Sequence, residues 1–313
     1  MVTLVGRCII KKDVMTKRIS LFTLIAAFIT TSAFAETLKV ASWNIAWLGS
    51  HEYNQRDEAD YKDLARYAKQ LNADVIALQE VESAKWATKV LGDEYEYFFT
   101  TKDWVQRVGV AVRKTSGYKA SAIEYVELDQ GLARRGMDVT LTKGDKSLRL
   151  LAVHMKSGCF DKALDQVSIA KMPSSNDKEV YAKTACAELA KQAIPLEAWV
   201  DARAKEDTPF ILLGDFNRRF VRDISLNHSE IQGLWQAIDD EGAESLWAPT
   251  IKAESKCWGG YYKDYIDHIV FDPKARARYV ENSFDQIVFE PKYTREISQK
   301  LSDHCPISVE LAL

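Results

Sequence analysis

The chain has 313 residues, of which 47% are hydrophobic and 28% charged. That is enough for one large domain or two small ones, and too apolar for wholesale disorder. No segment after residue 36 approaches the apolar length needed to span a bilayer. Residues 1–35 hold five basic side chains and one acidic, so the remainder carries 37 basic against 44 acidic, a net of −7. Coating of DNA by bulk charge is thereby excluded, whereas a local basic lip beside a cleft is not.

In chain order, the first element reads as an export leader. Lys17-Arg18 is a short basic region, Ile19 to Thr30 an apolar run, and Ala33-Phe34-Ala35 a small-x-small cleavage site. Residues 1–35 are expected to be removed, with Met15 as an alternative start, which places residues 36–313 in the periplasm or outside the cell as a single domain. No stable membrane association is expected after cleavage, and a monomer is the simplest state.

The mature chain then alternates short apolar runs with helical patterns. Strands are expected at Leu38–Ser42, Asp74–Leu78, Gly109–Val112, Met137–Leu141, Leu148–Val153, Phe210–Leu213, Tyr265–Phe271 and Ile307–Leu311, all rich in β-branched and apolar residues. Residues 60–71 place Leu64, Tyr67, Ala68 and Leu71 on one helical face. Residues 180–194 read as a second helix that Pro195 should end or kink. Residues 157–180 read as a polar surface loop. This alternation points to layered α/β architecture.

Four cysteines remain after the leader: Cys159, Cys186, Cys257 and Cys305. An even number in an oxidising compartment suggests disulfides. Cys159 and Cys186 flank one polar insertion and are the favoured pair; Cys257 and Cys305 stay open, since Cys305 could equally fill core space.

The chemistry sits at the polar ends of the strands. Asn44, Glu80, His154, Asp215 with Asn217, Asp267, and Asp303 with His304 each adjoin an apolar run. Singly, each could be a turn residue or a surface acid. Together they form a set of hard oxygen donors with two strand-end imidazoles and no thiolate, which suits Mg²⁺, with Mn²⁺ or Ca²⁺ as alternatives. Arg107, Arg135 and Lys156 stand where a substrate phosphate could be met. His268 alternates with Asp267 along its strand, so it should face the opposite side of the sheet and be structural. Trp258, next to Gly259-Gly260-Tyr261-Tyr262, is a candidate for the substrate rim.

Six short motifs occur in order: S-W-N-I at 42–45, L-Q-E-V at 78–81, H-M-K-S at 154–157, G-D-F-N at 214–217, I-D-H-I at 266–269 and S-D-H-C-P at 302–306. On these residues the chain resembles the endonuclease/exonuclease/phosphatase superfamily, whose members include deoxyribonuclease I, abasic-site endonucleases, inositol polyphosphate phosphatases and sphingomyelinases. The resemblance covers residues 38–313. It implies a four-layered α/β sandwich, two packed β-sheets flanked by helices, and divalent-metal-dependent phosphoester hydrolysis.

The resemblance also implies roles. Glu80 would be a metal ligand with Asn44 beside it and Asp303 as a second acid near the metal. Asp215 would orient or deprotonate water. Asn217 would bind a phosphate oxygen. His304 would face phosphorus with Asp267 as its carboxylate partner. His154 would be a general acid or phosphate binder, as in the deoxyribonuclease I and sphingomyelinase branches; abasic-site endonucleases typically lack a histidine there. No carboxylate partner for His154 is evident. The first substrate expectation is DNA or RNA. A lipid head group or sugar phosphate is the second, and a non-catalytic binding module the third.

Overall fold

The computed structural model describes residues 1–2, 37–102, 105–131, 134–165, 178–240, 245–290 and 300–313, with backbone alone at 178–183 and 258. The expected leader, and the middle of the loop expected at 157–180, lie outside the described residues. Eleven strands are described: β1 Thr37–Leu48, β2 Val75–Val81, β3 Tyr95–Phe99, β4 Val108–Arg113, β5 Lys119–Tyr125, β6 Gly136–Lys143, β7 Lys146–His154, β8 Phe210–Asp215, β9 Asp267–Phe271, β10 Asp285–Gln286 and β11 Ile307–Ala312. One sheet runs β10-β11-β1-β2-β4-β3 and the other β5-β6-β7-β8-β9. Each has one parallel pair, β1–β2 in the first and β7–β8 in the second, amid antiparallel neighbours.

Strand alternation sorts side chains into three apolar layers. Val40, Val75 and Val110 of the first sheet meet Val139, Leu150, Ile211 and Ile269 of the second in a core between the sheets. On the far side of the first sheet, Ala41, Trp43 and Ile76 pack under helices α1 (Glu58–Leu71) and α2 (Ala84–Leu91). On the far side of the second, Leu151, Phe210 and Leu212 pack under α3 (Lys178–Ala204) and the short helices α4 (Phe220–Ser225) and α5 (Leu234–Ile238). A single turn, α6 (Pro273–Arg276), follows β9. The architecture is a four-layered α/β sandwich. Among the described residues no helix is long and apolar enough to cross a membrane.

One sequence expectation needs correction, and some elements carry too weak a pattern to be read. The helix expected at 180–194, with Pro195 to end or kink it, does not end there but runs from Lys178 to Ala204. Proline inside a helix costs about 3 kcal/mol, but beyond it Leu196, Trp199 and Val200 are buried, and Trp199 Nε1 donates to Asp138 Oδ2 at 2.8 Å. Burying two large apolar side chains and a tryptophan outweighs that cost. Strand β5 was not legible because it is an edge strand whose residues are exposed or half-buried along its length, so hydrophobic periodicity is weak. Helix α2 is only eight residues long, too short for a helical period to stand out.

Cys159 and Cys186 are joined by a disulfide across the 159–186 segment. Cys257 and Cys305 form a second one, 48 residues apart in sequence. Cys305 is therefore a crosslink and not only a core filler.

Candidate active site

The two parallel pairs explain where the polar residues go. The C-terminal ends of β1, β2, β7 and β8 and the N-terminal ends of the antiparallel β9 and β11 emerge at one edge of the sandwich. Inner-facing positions that are apolar within the core become polar there. Leu148, Leu150 and Ala152 lead by alternation to His154, Ile211 and Leu213 lead to Asp215, and Phe271 and Ile269 lead back to Asp267. Parity puts His268 on the outer face, where it is buried and bonded to Thr250 and to the Arg218 carbonyl. Its structural reading agrees with the geometry.

Glu80 has the wrong parity, since Ile76 and Leu78 face outward. Its backbone adopts φ +58°, in the left-handed region, and this turns the carboxylate inward. The partner strand is distorted opposite it. Pairing shifts register between Asn44 and Leu48, with Ala46 and Trp47 also at positive φ. Such a bulge re-aims side chains beside a site. It is held from below by half-buried Arg56, whose guanidinium donates to the carbonyls of Ile45, Ala46 and Leu301 at 2.8 Å each. Burial lowers the Arg56 pKa to about 10, with Tyr61 and Asp60 opposing.

The edge opens into a cleft of about 690 Å³. Asp215 is its hub. Its Oδ2 lies 3.1 Å from Asn44 Nδ2, 3.4 Å from His154 Nε2 and 3.7 Å from His304 Nε2. Its Oδ1 accepts the Asn217 N–H at 2.8 Å. Burial holds the Asp215 carboxyl up at about 7, against the pull of His304 and with Asp267 adding to the rise. Asn44, fully buried beneath the cleft, also donates to Glu80 Oε1 at 3.3 Å and accepts the Ala46 N–H at 3.0 Å. Both of its amide hydrogens are thus committed to holding the two acids together.

His304 donates through Nδ1 to Asp267 Oδ2 at 2.8 Å. Its backbone N–H reaches Ser302 Oγ at 3.0 Å, which in turn donates to the Asn44 carbonyl at 2.6 Å, so the loop is anchored to β1. Burial disfavours a charge on His304, but Asp267 and Asp215 together outweigh it and hold the imidazole well above its ordinary pKa. His154 behaves oppositely. Burial, aided by Arg134 and His304, pushes it well below its ordinary value. Its Nε2 faces Asp215 and, at 3.7 Å, Glu80 Oε1, which supplies the carboxylates the sequence left unnamed. Its Nδ1 is buried and finds no hydrogen-bond partner among the described residues.

The donor set fits a hard divalent cation. Glu80 is raised in pKa first by burial and then by Asp303, with His304 and Arg134 opposing. Ligand atoms of Asp215, Asp267 and His304 also lie within 4.8 Å of one another. Asp267 and His304 are hydrogen-bonded to each other, and Glu80 and the exposed Asp303 also line the cleft.

The expected basic contacts are displaced by one residue each. Arg107, Arg135 and Lys156 do not line the cleft; Gln106, Arg134 and Ser157 do. Arg107 donates to the Lys102 carbonyl at 3.0 Å, Arg135 pairs with Glu124 at 2.8 Å, and Lys156 Nζ donates to the Ser157 carbonyl at 2.9 Å. Arg134 instead bridges the Met155 carbonyl at 3.2 Å and Gln106 Oε1 at 2.7 Å. Neighbouring residues of an extended chain point to opposite sides, so an uncertainty of one residue inverts the assignment. The dipeptide Arg134-Arg135 was visible; which member faced inward was not. The side chain of Trp258 lies outside the described residues, whereas Tyr261 and Tyr262 of the expected rim do line the cleft.

The sequence model of the Endonuclease/Exonuclease/phosphatase family matches residues 41–304. The chain belongs to this family. Its members are divalent-metal-dependent phosphoester hydrolases. No curated protein sequence matches the chain. Solved structures similar to it include D. rerio TDP2 humanized by 14 mutations, at 16% identity and TM-score 0.55 over 88% of this chain and 98% of that one. The AP endonuclease LMAP from Leishmania major aligns at 14% identity and TM-score 0.57 over 88% of each chain. An endonuclease/exonuclease/phosphatase from Bacteroides vulgatus aligns at 14% identity and TM-score 0.53, over 88% of this chain and 98% of that one. At these identities the likeness is one of fold.

Proposed function

We propose that the protein is an exported, divalent-metal-dependent phosphodiesterase whose substrate is nucleic acid. The observation that carries this reading is the convergence on Asp215 Oδ2 of Asn44, His154 and His304, drawn from both sheets, with the Asp267–His304 pair behind them. Two disulfides and the leader-like residues 1–35 support export to an oxidising compartment. The AP endonuclease in the structural comparison is consistent with a nucleic-acid substrate.

Glu80 and Asp303 would hold the cation, with Asn44 orienting Glu80; when bound it supplies Lewis-acid relief of charge on the phosphate oxygens. Asp215, poised at about 7, accepts a proton from the attacking water. The water oxygen bonds to phosphorus as the ester P–O bond breaks, and the leaving oxygen departs with the bonding electron pair and takes its proton from solvent to become the alcohol. The His304 imidazolium, fixed by Asp267, faces the negative charge that builds on the phosphate oxygens. One amide hydrogen of Asn217 donates to the Met155 carbonyl at 3.2 Å, leaving the other for a phosphate oxygen. His154 is held neutral, so it serves as an N–H donor and not as a general acid.

Plasmid DNA and RNA incubated with the purified protein and Mg²⁺ should be cleaved, and chelation should stop the reaction. Glu80→Ala should lower turnover at least about a hundredfold. If every nucleic acid stays intact while sphingomyelin or inositol phosphates are turned over, the lipid or sugar-phosphate reading replaces this one. Unchanged activity in Asp215→Ala would point to a binding module.

A further inference from the structure

The cleft is far larger than a tetrahedral phosphate requires, and its outer wall is aromatic. Phe160, Tyr261 and Tyr262 line it together with Arg134 and Arg219. Tyr261 is 80% exposed and Tyr262 55%, yet the two rings stand against each other edge-on, with centroids 4.8 Å apart and planes at 89°. Aromatic side chains exposed at a concave edge, and not packed into a core, are available to a ligand.

The segment that carries them is built to hold its place. Its neck is closed by the Ser255 N–H donating to the Lys263 carbonyl at 2.8 Å. Gly259 at φ +62° and Gly260 at φ +76° make the turn that leads to the tyrosines, a conformation that L side chains resist. At its start, Cys257 is disulfide-bonded to Cys305, the residue after His304. The aromatic wall is therefore tied covalently to the catalytic loop.

We propose that Tyr261 and Tyr262 form a stacking subsite for an unpaired nucleobase next to the scissile phosphate. The inference rests on the nucleic-acid reading and narrows it to single-stranded or frayed nucleic acid. A base inside a duplex has both faces covered by its neighbours, whereas an unpaired base offers a face that an aromatic ring binds without regard to sequence. Charge points the same way. The residues after 35 carry a net of −7, and Arg134 and Arg219 are the only lysines or arginines among the described lining residues. Arg219 is itself paired with Asp161 at 2.9 Å. Phosphate contacts alone would give weak binding, with a log–log salt slope of about −0.7 to −1.4 on a single strand; stacking supplies what they lack. A membrane surface is the less suited occupant, since residues 257–264 hold no long apolar run to insert into it.

The test reads binding and not hydrolysis. Asp215→Asn protein is titrated into a fluorescein-labelled oligothymidylate, the same backbone with abasic residues, a blunt duplex and phosphatidylcholine vesicles, all with Mg²⁺. Oligothymidylate should bind more tightly than the abasic strand and the duplex. Replacing both tyrosines by Leu should weaken that binding roughly 5- to 150-fold while leaving the abasic strand unchanged, and replacing both by Phe should restore it. Equal affinity for base-bearing and abasic strands, no measurable binding to any strand, no loss in the Leu variant, or a tyrosine-dependent affinity for vesicles would each overturn the subsite. Failure of the nuclease reading appears separately, as absent cleavage by the wild-type protein.

Discussion

Two polar clusters hang from the same short stretch of chain, one on each side of the second sheet. Asp215 and Asn217 look into the cleft, while Arg218 and Asp223 look away from it into the layer under α3. Both clusters are buried, and both contain acids and histidine. They differ in how far their hydrogen-bonding capacity is used. Arg218 donates to Asp223 through Nε at 3.0 Å and again through Nη2, and to the carbonyls of Cys159 at 3.0 Å and Gln232 at 3.2 Å. His268 beside it uses both ring nitrogens, at 2.6 Å to Thr250 Oγ1 and 2.8 Å to the Arg218 carbonyl. In the cleft, by contrast, His154 Nδ1 has no partner among the described residues and the Asp215 carboxyl is held up at about 7. A satisfied buried network rigidifies; one with capacity to spare is equipped to meet a substrate.

The contrast is broken most directly by two acid substitutions. Asp223→Ala leaves the Arg218 guanidinium buried without its carboxylate and should cost about 3–5 kcal/mol of stability in urea unfolding. Asp215→Asn should change stability by less than about 1 kcal/mol, because it removes a carboxylate that burial already disfavours, while lowering turnover by about 10²- to 10⁴-fold. If Asp215→Asn destabilises as much as Asp223→Ala, the two clusters are not different in kind.

A smaller effect concerns protons on the structural side. Burial lowers the His268 pKa to about 3, with its bond to the Arg218 carbonyl opposing, against about 6.5 in an unfolded chain. The unfolded chain therefore binds a proton that the fold refuses. This contribution to stability is complete above about pH 6.5 and declines as pH falls towards 3, by up to about 1.4 kcal/mol per pH unit. His154 is lowered in the same direction, so the wild-type slope below pH 6.5 mixes the two, whereas His304, which is raised, adds slope only above about pH 6.5. The difference in slope between wild type and His268→Gln from pH 6 to 4 isolates His268, and identical slopes would refute its neutral, satisfied state.

The smallest effect separates two adjacent arginines. Arg134→Ala should raise KM for an oligonucleotide by about tenfold, equivalent to about 1.4 kcal/mol, whereas Arg135→Ala should change it less than about twofold, since Arg135 is spent on Glu124 and Asp129. Equal effects would mean that the cleft admits both.

Much of this arrangement was legible in the residues. Alternation alone separated Asp267 from His268, because strand parity is a local property and survives in any sheet. The order of polar strand ends exposed Asn44, Glu80, His154, Asp215 and His304, since a strand that stops being apolar must be leaving a core. The polar stretch between Cys159 and Cys186 suggested their pairing. Where periodicity was weak, as in the edge strand β5, or where one residue decided the facing, as at Arg134 and Arg135, the signal failed.

What only the tertiary structure decided depends on contacts between distant segments. Helix α3 passes through Pro195 because the core beyond it rewards continuation. Glu80 enters the cleft against its parity because its own backbone is left-handed, opposite a bulge in β1 that Arg56 braces. Cys257 meets Cys305 across 48 residues, and thereby brings Tyr261 and Tyr262 to the wall of the site. Local chemistry chose which residues end each strand; long-range pairing and packing chose which of them share a cavity, because only the closed sandwich brings the edges of its two sheets together.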